Sequence, residues 1–222
     1  MKILYEDNHL IAVVKPCGTA TMGLPEGQET LLTQTKEYIK KKYNKPGAVY
    51  LGVVSRLDVP VSGIVLFART SKSAARLNEQ FRLHSVEKIY AAAVEGKVFP
   101  REAVCNDLIE NDKRHRKVYI TANDSGKESR LRYRTLRYIG NNTLLEIKLE
   151  TGRKHQIRIQ LSNRGYPVIG DRKYGSRLPM TNGIALHAWK LSFDHPITKQ
   201  RIELTAPFAF KGYAEFDDTK DG

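Results

Sequence analysis

Three stretches of this chain are polar where the surrounding apolar pattern gives no reason for polarity. The first is Ser55-Arg56-Leu57-Asp58-Val59-Pro60-Val61-Ser62-Gly63, wedged between apolar β-branched runs at 49–54 and 64–68. A carboxylate beside a guanidinium, on a loop framed by buried strands, is a setting that tunes an Asp pKa for chemistry. Taken alone, an Arg-Leu-Asp tripeptide reads more readily as a structural ion pair or a turn. The second stretch is Thr151-Gly152-Arg153-Lys154-His155-Gln156-Ile157-Arg158, where Arg158 follows an inward Ile157 and so falls near a helix boundary. The third is Ile184-Ala185-Leu186-His187-Ala188-Trp189.

Much other chemistry has no footing. There is no G-x-G-x-x-G, and Gly23-Leu24-Pro25-Glu26-Gly27 lacks the Lys-Ser/Thr of a phosphate-binding P-loop. No C-x-x-C, H-E-x-x-H or G-x-S-x-G occurs, and the six histidines show no metal-ligand spacing. His187 and His195 flank a Trp-containing strand and read as core or edge residues. The expectation is chemistry run by ordinary side chains, with no metal and no cofactor.

The charge points to a partner. Across 222 residues, 37 Lys+Arg face 24 Asp+Glu, a formal net charge of +13. Such an excess favours a polyanion, above all nucleic acid. It is concentrated between Asn111 and Arg137, where nine Lys/Arg meet three acids, a local +6. Lys113, Arg114, Arg116 and Lys117 make a compact cluster within it. Further on, Leu131, Tyr133 and Thr135 alternate with Arg130, Arg132 and Arg134, which reads as a strand with a core face and an arginine face. Three arginines on one face repel one another unless acids or phosphates sit nearby, and phosphate contact is the expectation.

The elements that must position these residues can be read coarsely. Strands are expected at 3–5 and 10–14 around an Asp7-Asn8 turn, then a helix over 30–44 with Leu31, Leu32, Thr35, Tyr38, Ile39 and Lys42 near a 3.6-residue period. Buried strands follow at 49–54 and 64–68. Ser71 then reads as the N-cap of a helix with Ala74, Leu77 and Phe81 inward. Strands resume at 89–94 and run to 149. A short helix over 154–163 precedes strands at 184–193 and 201–206. Most strands do not alternate with helices, so the fold class is α+β with a largely antiparallel sheet, in a single domain over 1–222. The tail over 211–222 is expected to be mobile. Hydrophobic residues make up 41% of the chain, enough for a core. Two cysteines make disulfide stapling improbable, and no apolar run approaches a membrane span or a leader sequence. A cytoplasmic setting is expected.

Taken together and in order, the polar stretches resemble the RluA-type pseudouridine synthases. That family carries H-R-L-D-x-x-T-S-G-L, matched here at 55–64 as S-R-L-D-V-P-V-S-G-I. Its T-G-R-x-H-Q-I-R is matched at 151–158, its G-x-P-I-x-G-D-x-x-Y-G at 165–175, and its L-H-A-x-x-L-x-F-x-H-P at 186–196. Its K-x-Y-x-A-x-V-x-G strand is matched at 88–96. The likeness spans about residues 3–208. It departs at Ser55, where the family has His, and at Val61, where it has Thr. The N-terminal S4-type domain of many relatives is missing, so the expectation is a catalytic domain alone.

The resemblance implies a mixed, bent sheet flanked by helices, with an active-site cleft across it. It implies isomerisation of uridine to pseudouridine in a ribosomal or transfer RNA stem-loop, by a monomer that needs no cofactor or metal. Asp58 would be the nucleophile, attacking ribose C1′ or uracil C6. Arg158 matches the position that pairs with it, and an opposite charge at about 4–6 Å can lower an Asp pKa by about 1–3 units. Tyr90 matches the tyrosine stacked on the base, and Leu186 the apolar residue on the base's other face. The uracil must leave its stack, and Arg56 matches the residue that fills the vacated space. Leu57 reads as core. Arg153 and Lys154 would contact phosphate or cap their turn, and Lys113, Arg114, Arg116 and Lys117 would hold phosphates. The alternative is an inactive RNA-binding protein that kept the fold, with Ser55 in its favour. A metal-free nuclease would need an acid–base pair, and His155 has no evident partner.

Overall fold

In the computed structural model, residues 1–25, 27–112, 117–210 and 214–216 are described. Their elements run β1 (Lys2–Glu6), β2 (Leu10–Lys15), α1 (Leu31–Lys42), β3 (Gly52–Val53), β4 (Ser62–Ala68), α2 (Ser71–Arg82), β5 (Glu87–Glu95), β6 (Glu102–Asp112), β7 (Lys117–Thr121), β8 (Lys127–Ile139) and β9 (Asn142–Leu149). They continue as α3 (Gln156–Ser162), a 3-10 turn (Arg172–Tyr174), β10 (Leu186–Asp194), β11 (Arg201–Thr205), β12 (Phe208–Phe210) and β13 (Ala214–Phe216). The fold is α+β. No helix among the described residues is long and apolar enough to cross a membrane. The chain divides into two compact units, Met1–Val86 with Lys190–Ala206, and Glu87–Trp189 with Pro207–Gly222.

In the first unit, β1 pairs with β2, β2 with β4, and β10 with β11, all antiparallel. Strands β2 and β4 are covered on both faces, which is why each reads as an unbroken apolar run instead of an alternating one. Leu10, Ala12, Ile64, Leu66 and Ala68 pack with Leu77 of α2 and with Leu191, Phe193 and Leu204. Ile11, Val13, Val65 and Phe67, on the other face, pack with Leu31 and Ile39 of α1. Helix α1 starts from a capping box: the Thr30 hydroxyl accepts the Thr33 amide while the Thr33 hydroxyl accepts the Thr30 amide.

Two expectations need correction here. The cap of α2 is Thr70, whose hydroxyl accepts the Ser73 amide at 3.1 Å, while Ser71 is already helical. Both residue types can cap, and the extended backbone at Thr70 selects it. The strand expected over 49–54 shrinks to Gly52–Val53. Gly52 lies so close to α2 that a Cβ there would sit 2.8 Å from the Ala74 Cβ.

In the second unit, β5, β9, β8, β6 and β7 lie side by side in that order, all antiparallel. Strand β8 keeps its period of two: Leu131, Tyr133 and Thr135 are buried, Arg132 and Arg134 exposed. Its arginines, however, have acidic partners. Arg132 Nε lies 2.7 Å from Glu150, Arg130 Nε 3.0 Å from the same carboxylate, and Arg134 Nε 2.7 Å from Glu146 across on β9. The repulsion that pointed to phosphate is thus met by carboxylates within the unit. Of the tail over 211–222, only 214–216 lie within the described residues.

Candidate active site

Asp58 sits half-buried in the loop between β3 and β4, with Arg56 exposed beside it. The loop is pegged at alternate residues, by a side chain at 55 and by backbone groups at 57 and 59. The Ser55 hydroxyl accepts the Leu66 amide of β4 at 3.0 Å. The Thr21 hydroxyl donates to the Leu57 carbonyl at 3.0 Å and accepts the Leu57 amide at 3.2 Å. The Val59 carbonyl accepts the Gly18 amide at 2.9 Å and Lys15 Nζ at 3.1 Å. The Asp58 carbonyl accepts the Val61 amide at 3.0 Å, closing a turn over Val59-Pro60. Leu57 packs on the α1 side of the sheet, as expected of a core residue.

Lys15 was not singled out by its sequence, yet it is wholly buried. Its ammonium also donates to the Pro16 carbonyl at 3.0 Å and the Thr19 carbonyl at 2.8 Å, so its three protons are used on three carbonyls. Burial lowers its pKa to about 8, against the opposing pull of Cys17 and Asp58. With a pKa of about 8 it is mostly a cation at neutral pH.

Arg158, Tyr90, Leu186, Arg153 and Lys154 belong to the second unit. Arg158 lies in α3 and is 5% exposed. Its Nε and Nη2 donate to the two carboxylate oxygens of Asp171 at 2.6 and 2.9 Å, a bidentate pair buried from water. The Tyr174 ring lies 5.0 Å from the guanidinium, and the Tyr174 hydroxyl is 2.7 Å from His155 Nδ1. Asp171 is fixed in turn, since its carbonyl accepts the amides of Tyr174 and Ser176. Glu95 of β5 anchors the same segment by accepting the Arg177 and Leu178 amides at 2.7 and 2.9 Å.

The turn into α3 is held by Gln156. Its side-chain oxygen accepts the Thr151 hydroxyl at 2.8 Å and the Arg153 amide at 2.9 Å, and its amide nitrogen donates to the Arg130 carbonyl. The cap residue, His155, takes left-handed backbone, φ 56°, and offers no side-chain cap. The Arg153 guanidinium donates to the Glu128 carbonyl at 3.1 Å, which serves the turn. Lys154 is exposed.

Tyr90 lies on β5 opposite Ile147 of β9 and is half-buried. Leu186, 3% exposed, opens β10, the neighbour of β5 in the sheet. Lys113, Arg114 and Arg116 lie outside the described residues, and Lys117 opens β7 opposite Asp112. His195, read as core, is buried: its Nε2 lies 2.7 Å from Asp7 and its Nδ1 accepts the Ile197 and Thr198 amides. Among the described residues no group of three or more His, Cys, Asp or Glu could hold a metal ion.

The model of the RNA pseudouridylate synthase family matches residues 9–163. The chain belongs to that family. Its members are isomerases, and the RluA-type resemblance is sustained across nearly the whole chain. "Uncharacterized RNA pseudouridine synthase YhcT" of Bacillus subtilis is 34% identical over 211 residues, covering 94% of this chain and 68% of that protein. "Ribosomal large subunit pseudouridine synthase D" of Pseudomonas aeruginosa is 32% identical, covering 93% of this chain and 68% of its own length. Two solved human structures share the fold. RNA pseudouridylate synthase domain containing 4 superposes with a TM-score of 0.77 at 22% identity, over 94% of this chain and 88% of that one. Domain containing 1 gives 0.75 at 24%, over 93% and 83%.

Asp171, Lys15 and Thr21 are the residues that sequence reasoning passed over. Asp171 carried a signal, the G-D-x-x-Y-G pattern at 170–175. Lys15 and Thr21 carried none, because the groups that tie them to the Asp58 loop are backbone groups 44 and 36 residues away.

Proposed function

We propose that this chain converts specific uridines of structured RNA to pseudouridine, with Asp58 as nucleophile. The observation that carries the reading is the pegged loop: the Ser55 hydroxyl and the backbone groups of residues 57 and 59 are bonded in place and hold a half-buried carboxylate in the family's Arg-Leu-Asp position, beside an exposed arginine. A nucleophile held this way enters the reaction without paying ordering entropy at the moment of attack.

The N1–C1′ bond of the uridine breaks while the Asp58 carboxylate bonds to the nucleotide, at C1′ or C6. The uracil turns over, C5 joins C1′ as the enzyme bond is released, the C5 proton leaves to water, and the freed N1 takes up a proton, so the product is an isomer of the substrate. Tyr90 stacks on the uracil and assists loss of that proton, and Leu186 packs on its other face. Arg158 stands at the family position that pairs with the nucleophile and supplies positive charge there. The target base is extruded from its stack, and Arg56 fills the gap. Lys154, Lys113, Arg114, Arg116 and Lys117 hold phosphates, in keeping with the +13 charge. The names of relatives favour large-subunit ribosomal RNA over transfer RNA as the substrate.

The test is carbodiimide labelling with reverse-transcription stops on ribosomal and transfer RNA from cells with and without the gene. The reading expects one or a few discrete stops to vanish without the gene. They return with the wild-type protein and stay absent with Asp58→Ala. Unchanged stops in every RNA, even after purified protein is added, would leave an RNA-binding protein without this activity.

A further inference from the structure

The chain has Ser55 where the family pattern has His, and the structure gives that serine and a distant threonine related tasks. The Thr21 hydroxyl touches both the amide and the carbonyl of Leu57. The Leu57 carbonyl belongs to the same rigid peptide plane as the Asp58 nitrogen, and the Leu57 amide belongs to the plane before it. One hydroxyl therefore fixes two consecutive peptide planes leading into Asp58. Ser55 fixes the entry to the same loop by taking the Leu66 amide of β4.

Thr21 is itself immobilised. Its carbonyl accepts the Leu32 amide at 3.1 Å, and the Ala20 carbonyl accepts that of Leu31 at 2.9 Å, both in the first turn of α1. Its side chain is buried, so no bulk water can replace the hydroxyl. The line of force runs from the capped start of α1 through Thr21 to Leu57 and on to Asp58.

We propose that Thr21 and Ser55 are positioning residues that aim the Asp58 carboxylate, a proposal that rests on the synthase reading above. A misplacement of about 1 Å in a reacting group can cost about a hundredfold in rate. A threonine that only satisfied its own hydroxyl would affect stability and leave turnover per folded molecule alone.

The experiment compares wild type, Thr21→Val, Thr21→Ser and Ser55→Ala for pseudouridine formation on a responsive RNA, with kcat, KM and thermal melting measured for each. Thr21→Val keeps the shape and removes both bonds. Its kcat is expected to fall by about 10–100-fold with KM within about twofold. Thr21→Ser, which keeps the hydroxyl, is expected within about threefold of wild type, and Ser55→Ala to lose about 3–10-fold in kcat. A folded Thr21→Val with wild-type kcat overturns the proposal, as does a Thr21→Ser that loses as much as Thr21→Val. Should Thr21→Val not fold at the assay temperature, wild-type kcat in Ser55→Ala overturns it instead. A wild-type protein that forms no pseudouridine overturns the synthase reading and this proposal together; an active wild type with an equally active Thr21→Val overturns the proposal alone.

Discussion

Arg158 and Asp171 form a bidentate ion pair, 2.6 and 2.9 Å, with side chains 6% and 2% exposed. Removing one partner of a buried pair leaves the other charged and desolvated, at a cost of about 3–5 kcal/mol. Asp171→Ala should therefore lower the melting temperature by on the order of 10 °C. Replacing both by apolar residues, Arg158→Met with Asp171→Leu, should recover most of that stability while leaving the protein inactive. A melting curve and a pseudouridine assay on the single and double variants decide this. An Asp171→Ala protein that melts with wild type would contradict it.

Lys15 gives a pH dependence with a defined sign. Burial lowers its pKa from 10.5 to about 8. Between those values the unfolded chain holds a proton that the folded chain has released, so this group's contribution to stability rises with pH. Below about 8 both states are protonated and the burial penalty is fully present. Lys15→Met removes the titration. The stability of wild type relative to Lys15→Met should thus increase by about 1–2 kcal/mol between about pH 7.5 and 9.5. Urea denaturation at both pH values tests it, and a constant or falling difference would count against it.

The arginine face of β8 should contribute little to RNA binding. Arg132 and Arg134 are each paired with a carboxylate of Glu150 or Glu146 and are largely exposed. Exposed pairs of this kind contribute about 0–1 kcal/mol to stability. Replacing both arginines by Ala should change the slope of log affinity for RNA against log salt by less than about one. A slope that falls by about two would show both contacting phosphate.

What the sequence made legible was what depends on local periodicity. The alternation in β8 requires only that Leu131, Tyr133 and Thr135 share a face, and they are buried together. The unbroken runs of β2 and β4 signalled burial on both faces, and α1 and α2 supply the covers. Arg56, Asp58, Tyr90, Arg158 and Leu186 could be named as candidates because family motifs mark them. Illegible were relations set by tertiary approach. Gly52 gave no sign that α2 would lie against it or that β3 would span only two residues. Glu146 and Glu150 could be assigned to the arginines only once the β8–β9 register was fixed. The roles of Lys15 and Thr21 depend on backbone carbonyls and amides, which look the same at every residue.

The central claim is that Asp58 performs the isomerisation, and tritium release tests it most directly. RNA transcripts carrying tritium at uracil C5 lose the label to water only when C5 forms its new bond to C1′. Purified wild-type protein should release tritium from a ribosomal or transfer RNA substrate, with the released label saturating at one or a few sites per molecule. Asp58→Asn should release none while binding the same RNA with unchanged affinity. Release by Asp58→Asn at a rate near wild type would contradict the account.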